Sequence, residues 1–270
     1  RRLLAFVFTA SGFSALAYQV AWQRVLAQSI GSDAVSVVLV VSAFMAFLGI
    51  GAEIARRVLR DPGKDKLLLY VLIEAAVGVY GLFSVGIIRF INGLWSEAGF
   101  NSLTLDALLN LSLLALPVVG MGMTTPLVVH FAKRRLDDLG RVVGFYYGLN
   151  IFGASIGALM TGLVLIEVFG LFGTTVIAAV INLLISIVFF VFSRERGLLA
   201  TSCSNPTVHS EFPKKLVLAA ISFGLCTLAV QIGLFRVASN YFTMSTVVFP
   251  VVLFVYLVLM AGGQWLGGRL

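Results

Sequence analysis

Apolar residues run through this chain in long blocks separated by short polar breaks. The blocks occupy residues 3–28, 35–55, 67–95, 107–132, 142–168, 174–192, 216–238 and 247–266. An α-helix rises 1.5 Å per residue, so roughly 20 apolar residues cross a hydrocarbon core of about 30 Å. Each block therefore predicts a transmembrane helix. The breaks mostly contain glycine, proline, serine, asparagine or aspartate, the residues that end helices and make turns. The pattern predicts an all-α membrane protein of about eight transmembrane helices.

Lysine and arginine fall on alternate breaks, and this bias sets orientation because positive loops stay in the cytoplasm. With Arg1 and Arg2 inside, four further groups are also inside: Arg56/Arg57/Arg60/Lys64/Lys66, Lys133/Arg134/Arg135/Arg141, Arg194/Arg196/Lys214/Lys215 and Arg269. The opposite breaks, near residues 31–32, 96–105, 170–173 and 240–245, hold neither residue type. The expected location is a cell (inner) membrane, multi-pass, with a cytoplasmic N-terminus. The first apolar block is too long for a secretory signal and is read as a permanent span.

Composition agrees with lipid as the solvent. Of 270 residues, 60% are hydrophobic and 11% charged, whereas soluble domains carry about a quarter charged residues. The formal charge of +7 alone would fit a nucleic-acid partner, but its placement in alternate loops assigns it to membrane orientation instead. Cys203 lies in a polar break and Cys226 in an apolar block, so neither a disulfide nor a zinc site is expected. The chain starts at Arg1 rather than methionine and stops at Leu270 just after a glycine-rich helix end, as expected of a fragment.

The longest hydrophilic break, 193–215, reads as a flexible cytoplasmic linker. It divides a six-helix unit (1–192) from a two-helix unit (216–270). The two units are related by an internal repeat. Residues 12–57 align without a gap on 224–269, matching Leu16-Ala17 with Leu228-Ala229, Gln19 with Gln231, Arg24-Val25 with Arg236-Val237, Gly51 with Gly263 and Arg57 with Arg269. Both copies start on the same side, so the repeat is parallel, as between the two halves of major facilitator transporters. The expected architecture is one major-facilitator-like six-helix half plus the first hairpin of a second.

The segment Ser11-Gly12-Phe13-Ser14-Ala15-Leu16-Ala17-Tyr18-Gln19-Val20-Ala21-Trp22-Gln23-Arg24 resembles the first helix of membrane-bound spermidine-synthase-like proteins, the fused major-facilitator/spermidine-synthase family. Leu116-Pro117 with Gly120-Met121-Gly122-Met123-Thr124-Thr125-Pro126-Leu127 is similar to the family's fourth helix. Gly140-Arg141 and Tyr147-Gly148-Leu149-Asn150-Ile151-Phe152-Gly153-Ala154-Ser155-Ile156-Gly157-Ala158 resemble its fifth. The sequence departs from the family at Gln19, where a glutamate is usual after the tyrosine. It also lacks the family's soluble aminopropyltransferase domain, since no stretch shows alternating strand and helix patterns with a glycine-rich turn. This chain alone therefore carries no aminopropyl-transfer chemistry.

Candidate site residues follow from polarity at depth. Glu74 lies about two turns inside the third block, where an ionised carboxylate is costly unless paired or hydrated. Two readings stand: a carboxylate for a proton or an amine in a cavity, or one hydrogen-bonded between helices. Gln19 and Gln231 are buried amides at equivalent sites of the repeat, suited to tying helices together or to touching a ligand. Asn150, flanked by Gly148, Gly153 and Gly157, lies on a helix whose small residues permit close backbone approach. With Tyr146 and Tyr147 it is also placed to line a cavity. Tyr18 completes the substrate-binding candidates, which are Glu74, Gln19, Tyr18, Asn150 and Gln231.

Arg24 and Arg236 are read as structural charges that pair with Asp33, Asp106 or Glu167 or snorkel to the interface. Pro117 and Pro126 predict kinks in the fourth helix. The isolated His130 and His209 and the absence of ligand clusters predict no metal, no cofactor and no catalytic constellation. Two functions remain: a module moving polyamines or other small cations, and a non-transporting anchor or assembly subunit of a larger membrane complex. The implied partners are the lipid bilayer and either a spermidine-synthase-like domain, fused or separate, or other membrane subunits. Nucleic acid is not among them.

Overall fold

The computed structural model describes residues 2–30, 33–61, 65–99, 102–132, 139–195, 214–242 and 245–268. Among these the chain is helical and has no strand. The elements are α1 (Arg2–Ile30), α2 (Asp33–Arg60), α3 (Lys66–Glu97), α4 (Leu103–Ala132), α5 (Leu139–Met160), a π-helical stretch (Thr161–Leu165), α6 (Ile166–Glu195), α7 (Lys214–Tyr241) and α8 (Ser245–Gly267). Most of the expected linker, residues 196–213, lies outside the described residues, as do Arg1, Lys64, Lys133, Arg134, Arg135, His209 and Arg269.

Seven stretches among the described residues are long and apolar enough to cross a membrane. The longest, Gly140–Val191, has 52 residues. The sequence places a four-residue break near 170–173 within it, but helical hydrogen bonding continues on both sides of a single non-helical residue. Gly170 has φ 69° and ψ −178°, a conformation open essentially to glycine alone. Elsewhere a side chain starts the helix: Asp65 accepts from the Leu67 and Leu68 amides at 3.0 and 3.1 Å and so caps α3, satisfying donors with no partner inside the helix.

Close packing follows from the small residues. α1 packs most extensively on α5, α2 on α4, and α3 on α6. A methyl group on Gly12 of α1 would meet the Asn150 carbonyl oxygen of α5, and one on Gly153 or Gly157 would meet the Thr9 or Phe13 carbonyl. Gly51 of α2 lies in the same way against Val119 and Gly122 of α4. Backbones that approach this closely gain dispersion contacts along the whole crossing.

Two apolar cores result. One lies within the first six helices around Trp22, Phe44, Tyr70 and Leu114. The other joins α1, α2 and α5 to α7 and α8 through Val41, Ile151, Phe235 and Leu253. Outside these cores large apolar side chains face outward, among them Leu116 (78% exposed) and Leu259 (71%). Such a surface suits lipid and would be unfavourable in water. The fold is thus a multi-pass helical bundle suited to a bilayer.

Candidate functional site

Helical spacing on α3 places Tyr70, Glu74, Gly78 and Gly81 on one buried stripe, one turn apart. That stripe faces α1 and α6. Glu74 is 2% exposed, and its carboxylate accepts a hydrogen bond from the Ser11 hydroxyl of α1 at 3.1 Å. Tyr70, one turn earlier, turns its hydroxyl toward Glu74 without reaching a well-aligned hydrogen bond.

Further buried polar groups of α1, α3 and α6 lie along the same interface. Tyr18 of α1 lies with its hydroxyl over Gly81, where a side chain would displace it. The Tyr18 hydroxyl makes no hydrogen bond. Its ring stacks on Trp22 with centroids 5.0 Å apart, and the Trp22 indole donates to Ser84 of α3 at 3.0 Å. The Ser14 hydroxyl reaches the side-chain oxygen of Asn182 on α6 and the Ser11 carbonyl. Ser186 of α6 donates to the Val71 carbonyl at 2.9 Å.

The arrangement is a buried polar cluster inside an apolar bundle. A carboxylate can accept about four hydrogen bonds, and Glu74 has the one from Ser11. A buried carboxyl so sparsely bonded is stabilised by taking up a proton or a cation. Positive charge is therefore what such a group could bind.

The other candidates fall in different interfaces. Gln19 is 2% exposed and its amide nitrogen has no hydrogen-bond partner. Asn150 donates to the Phe8 carbonyl at 3.0 Å and so ties α5 to α1. Gln231, 5% exposed, lines an apolar cleft beside Val37 and Val41 of α2 and Phe249 and Leu253 of α8. The structure thus places Tyr18 against Gly81, two turns along α3 from Glu74, and leaves Asn150 and Gln231 at the α1–α5 and α2–α7–α8 contacts.

Arg24 is half-buried near the C-terminal end of α1, and Arg236 is exposed on α7. Of their expected partners, Asp106 accepts from the Trp95 indole at 2.8 Å, and the Asp33 side chain lies outside the described residues. Glu53, near the C-terminal end of α2, pairs with Arg56 at 2.6 Å and Arg57 at 2.9 Å. Among the described residues no group of three histidine, cysteine or acidic side chains is placed to hold a metal ion.

Sequence reasoning missed Ser11, Ser14, Tyr70 and Asn182. Tyr70 carried a signal, since it precedes Glu74 by one helical turn. The serines and Asn182 carried none, because their partners are distant in sequence. No family model matches the chain, and neither a characterised protein nor a solved structure matches it.

Proposed function

We propose that this chain is the membrane module of a spermidine-synthase-like protein, crossing the inner membrane eight times from a cytoplasmic N-terminus. The count of eight is supported by Gly170, since 52 straight helical residues would span roughly 78 Å against a core of about 30 Å. The major-facilitator-like arrangement is supported by the helix partners. Exchanging α1, α2 and α3 for α4, α5 and α6 turns the α1–α5 contact into α4–α2, leaves α3–α6 in place and turns α1–α6 into α4–α3. That exchange is what an inverted three-plus-three repeat within one half would give.

Within this module Glu74 takes up and releases a proton or a small cation, with polyamines as the cargo class. One observation carries the reading: a fully buried carboxylate with a single hydrogen bond faces a tyrosine hydroxyl that has none. The test is to measure melting temperature and polyamine flux on the same reconstituted Glu74→Gln variant. Glutamine keeps the volume but not the charge. Lost flux with unchanged melting supports the reading; unchanged flux overturns it.

A second reading, an anchor or assembly subunit through which nothing passes, is favoured by the Ser11–Glu74 bond joining α1 to α3 inside a packed core. Under it Glu74→Gln lowers the melting temperature, and the unmodified protein shows no flux.

A further inference from the structure

Glu74 is closed in on both sides along α3. One turn toward the C-terminal end, Gly78 lies so near α6 that a methyl group there would meet the Leu183 side chain and the Ala179 carbonyl oxygen. One turn toward the N-terminal end, the Tyr70 ring packs on Phe189 of α6 with centroids 4.6 Å apart. Between them Ser186 of α6 donates to the Val71 carbonyl. Tyr70 and Glu74 are both buried.

These contacts limit what can reach the carboxylate. A polyamine or a hydrated ion needs a cavity, and α3 and α6 would have to part to make one. A bare metal cation needs several oxygen atoms in place of its hydration shell, and the oxygen bonded to Glu74 is the Ser11 hydroxyl. The polar groups of α6 at this level, Asn182 and Ser186, are engaged with Ser14 and the Val71 carbonyl, and neither titrates. A proton needs only a group within reach that can give and take it. Tyr70 is the titratable group turned to Glu74. Tyr18 of α1 lies two turns away over Gly81, and His130 of α4 lies beyond Phe131 and Phe189.

The Tyr70 hydroxyl has no hydrogen-bond partner, which is unfavourable for a buried polar group. Phenylalanine would keep the contact with Phe189 without that cost. Tyr70 also lies about 6 Å of helix from Lys66 at the start of α3, the end that the charge pattern places in the cytoplasm. We infer that the positive charge Glu74 exchanges is a proton, and that the Tyr70 hydroxyl hands it over from the cytoplasmic side. In that step the phenol gives its proton to the carboxylate and takes one from water at the start of α3. The carboxyl ends neutral and the phenol unchanged, and release runs the same step backwards. The inference names the ion of the Glu74 reading and rests on it, but not on polyamines as the cargo.

The test follows the C=O stretch of the protonated Glu74 carboxyl by difference infrared spectroscopy on the full chain in lipid. The band should titrate with pH, be missing from Glu74→Gln and keep its midpoint when excess sodium, potassium or spermidine is added. A midpoint lowered by any of the three means that a cation competes for the carboxylate and overturns the inference, as does the lack of a titrating band. Tyr70→Phe should slow exchange of this proton with deuterium oxide about a hundredfold, while the melting temperature holds or rises because a partnerless hydroxyl is gone. Exchange as fast as in the unmodified protein overturns the role of Tyr70, whatever the melting temperature. Polyamine flux through the same Glu74→Gln protein separates the two readings: unchanged flux with the band lost removes Glu74 from transport and leaves the proton site standing.

Discussion

The hydroxyl of Tyr80 donates to the carbonyl oxygen of Leu113 at 2.7 Å, the acceptor that Pro117 deprives of its helical partner. Proline has no amide hydrogen, so the carbonyl four residues earlier in the helix is left unpaired. α3 therefore repairs α4. Tyr80→Phe should cost about 1–3 kcal/mol by leaving that carbonyl unbonded, read as a lower melting temperature in detergent. Pro117→Ala restores a backbone donor, so the double variant should recover most of the loss. A double variant no more stable than Tyr80→Phe alone would show that the bond does not serve this purpose.

The repeat supplies a pair of substitutions with opposite outcomes. Gly12→Ala forces a methyl group onto the Asn150 backbone, and such overpacking costs about 1–3 kcal/mol where neither backbone can yield. Gly224→Ala adds the same methyl group in open space and should be neutral or stabilising by up to about 1 kcal/mol in the chain alone. Thermal melting of the two variants side by side checks both. Equal destabilisation would mean that the two glycines have equivalent surroundings after all.

Asn150 holds α5 to α1 through one hydrogen bond to the Phe8 carbonyl. Asn150→Leu keeps comparable volume and loses the donor, and should cost about 1 kcal/mol, since amide bonds between membrane helices are worth little more. If Asn150 instead served a ligand, the substitution would leave melting unchanged and abolish flux.

Orientation is open to a labelling experiment in cells. Asp61 and Ala98 are exposed at opposite ends of α3 and its approach. In a chain lacking its own cysteines, Asp61→Cys should resist a membrane-impermeant thiol reagent until the cells are opened, and Ala98→Cys should react at once. The reverse pattern would overturn the cytoplasmic N-terminus.

Much of the packing was legible in the sequence because one helix carried both sides of the signal. Gly148, Gly153 and Gly157 mark α5 as a helix that others approach closely, and the depth of Glu74 marks it as a residue needing a partner. The partner itself was not legible. Ser11 is one of many serines in apolar blocks, and only the crossing of α1 over α3 selects it. Tyr80 is hidden in the same way, since Pro117 announces an unpaired carbonyl without saying which neighbour reaches it. The break between α5 and α6 was legible in place but not in size. A cluster of loop-forming residues, Gly170 and Gly173 among them, looks like a loop, yet helical geometry within α6 is broken at Gly170 alone.

That economy at Gly170 bears on how the chain is made. The insertion machinery reads hydrophobic length as it emerges, and here it meets a largely apolar stretch of 52 residues whose charged residues are Arg141 and Glu167. A straight helix of that length would be longer than one crossing of about 30 Å, and helical geometry inside α6 is broken at Gly170. With its positive φ, Gly170 would be strained by any side chain, however much room surrounds it. Alanine there should lower the yield of folded protein relative to the unmodified chain.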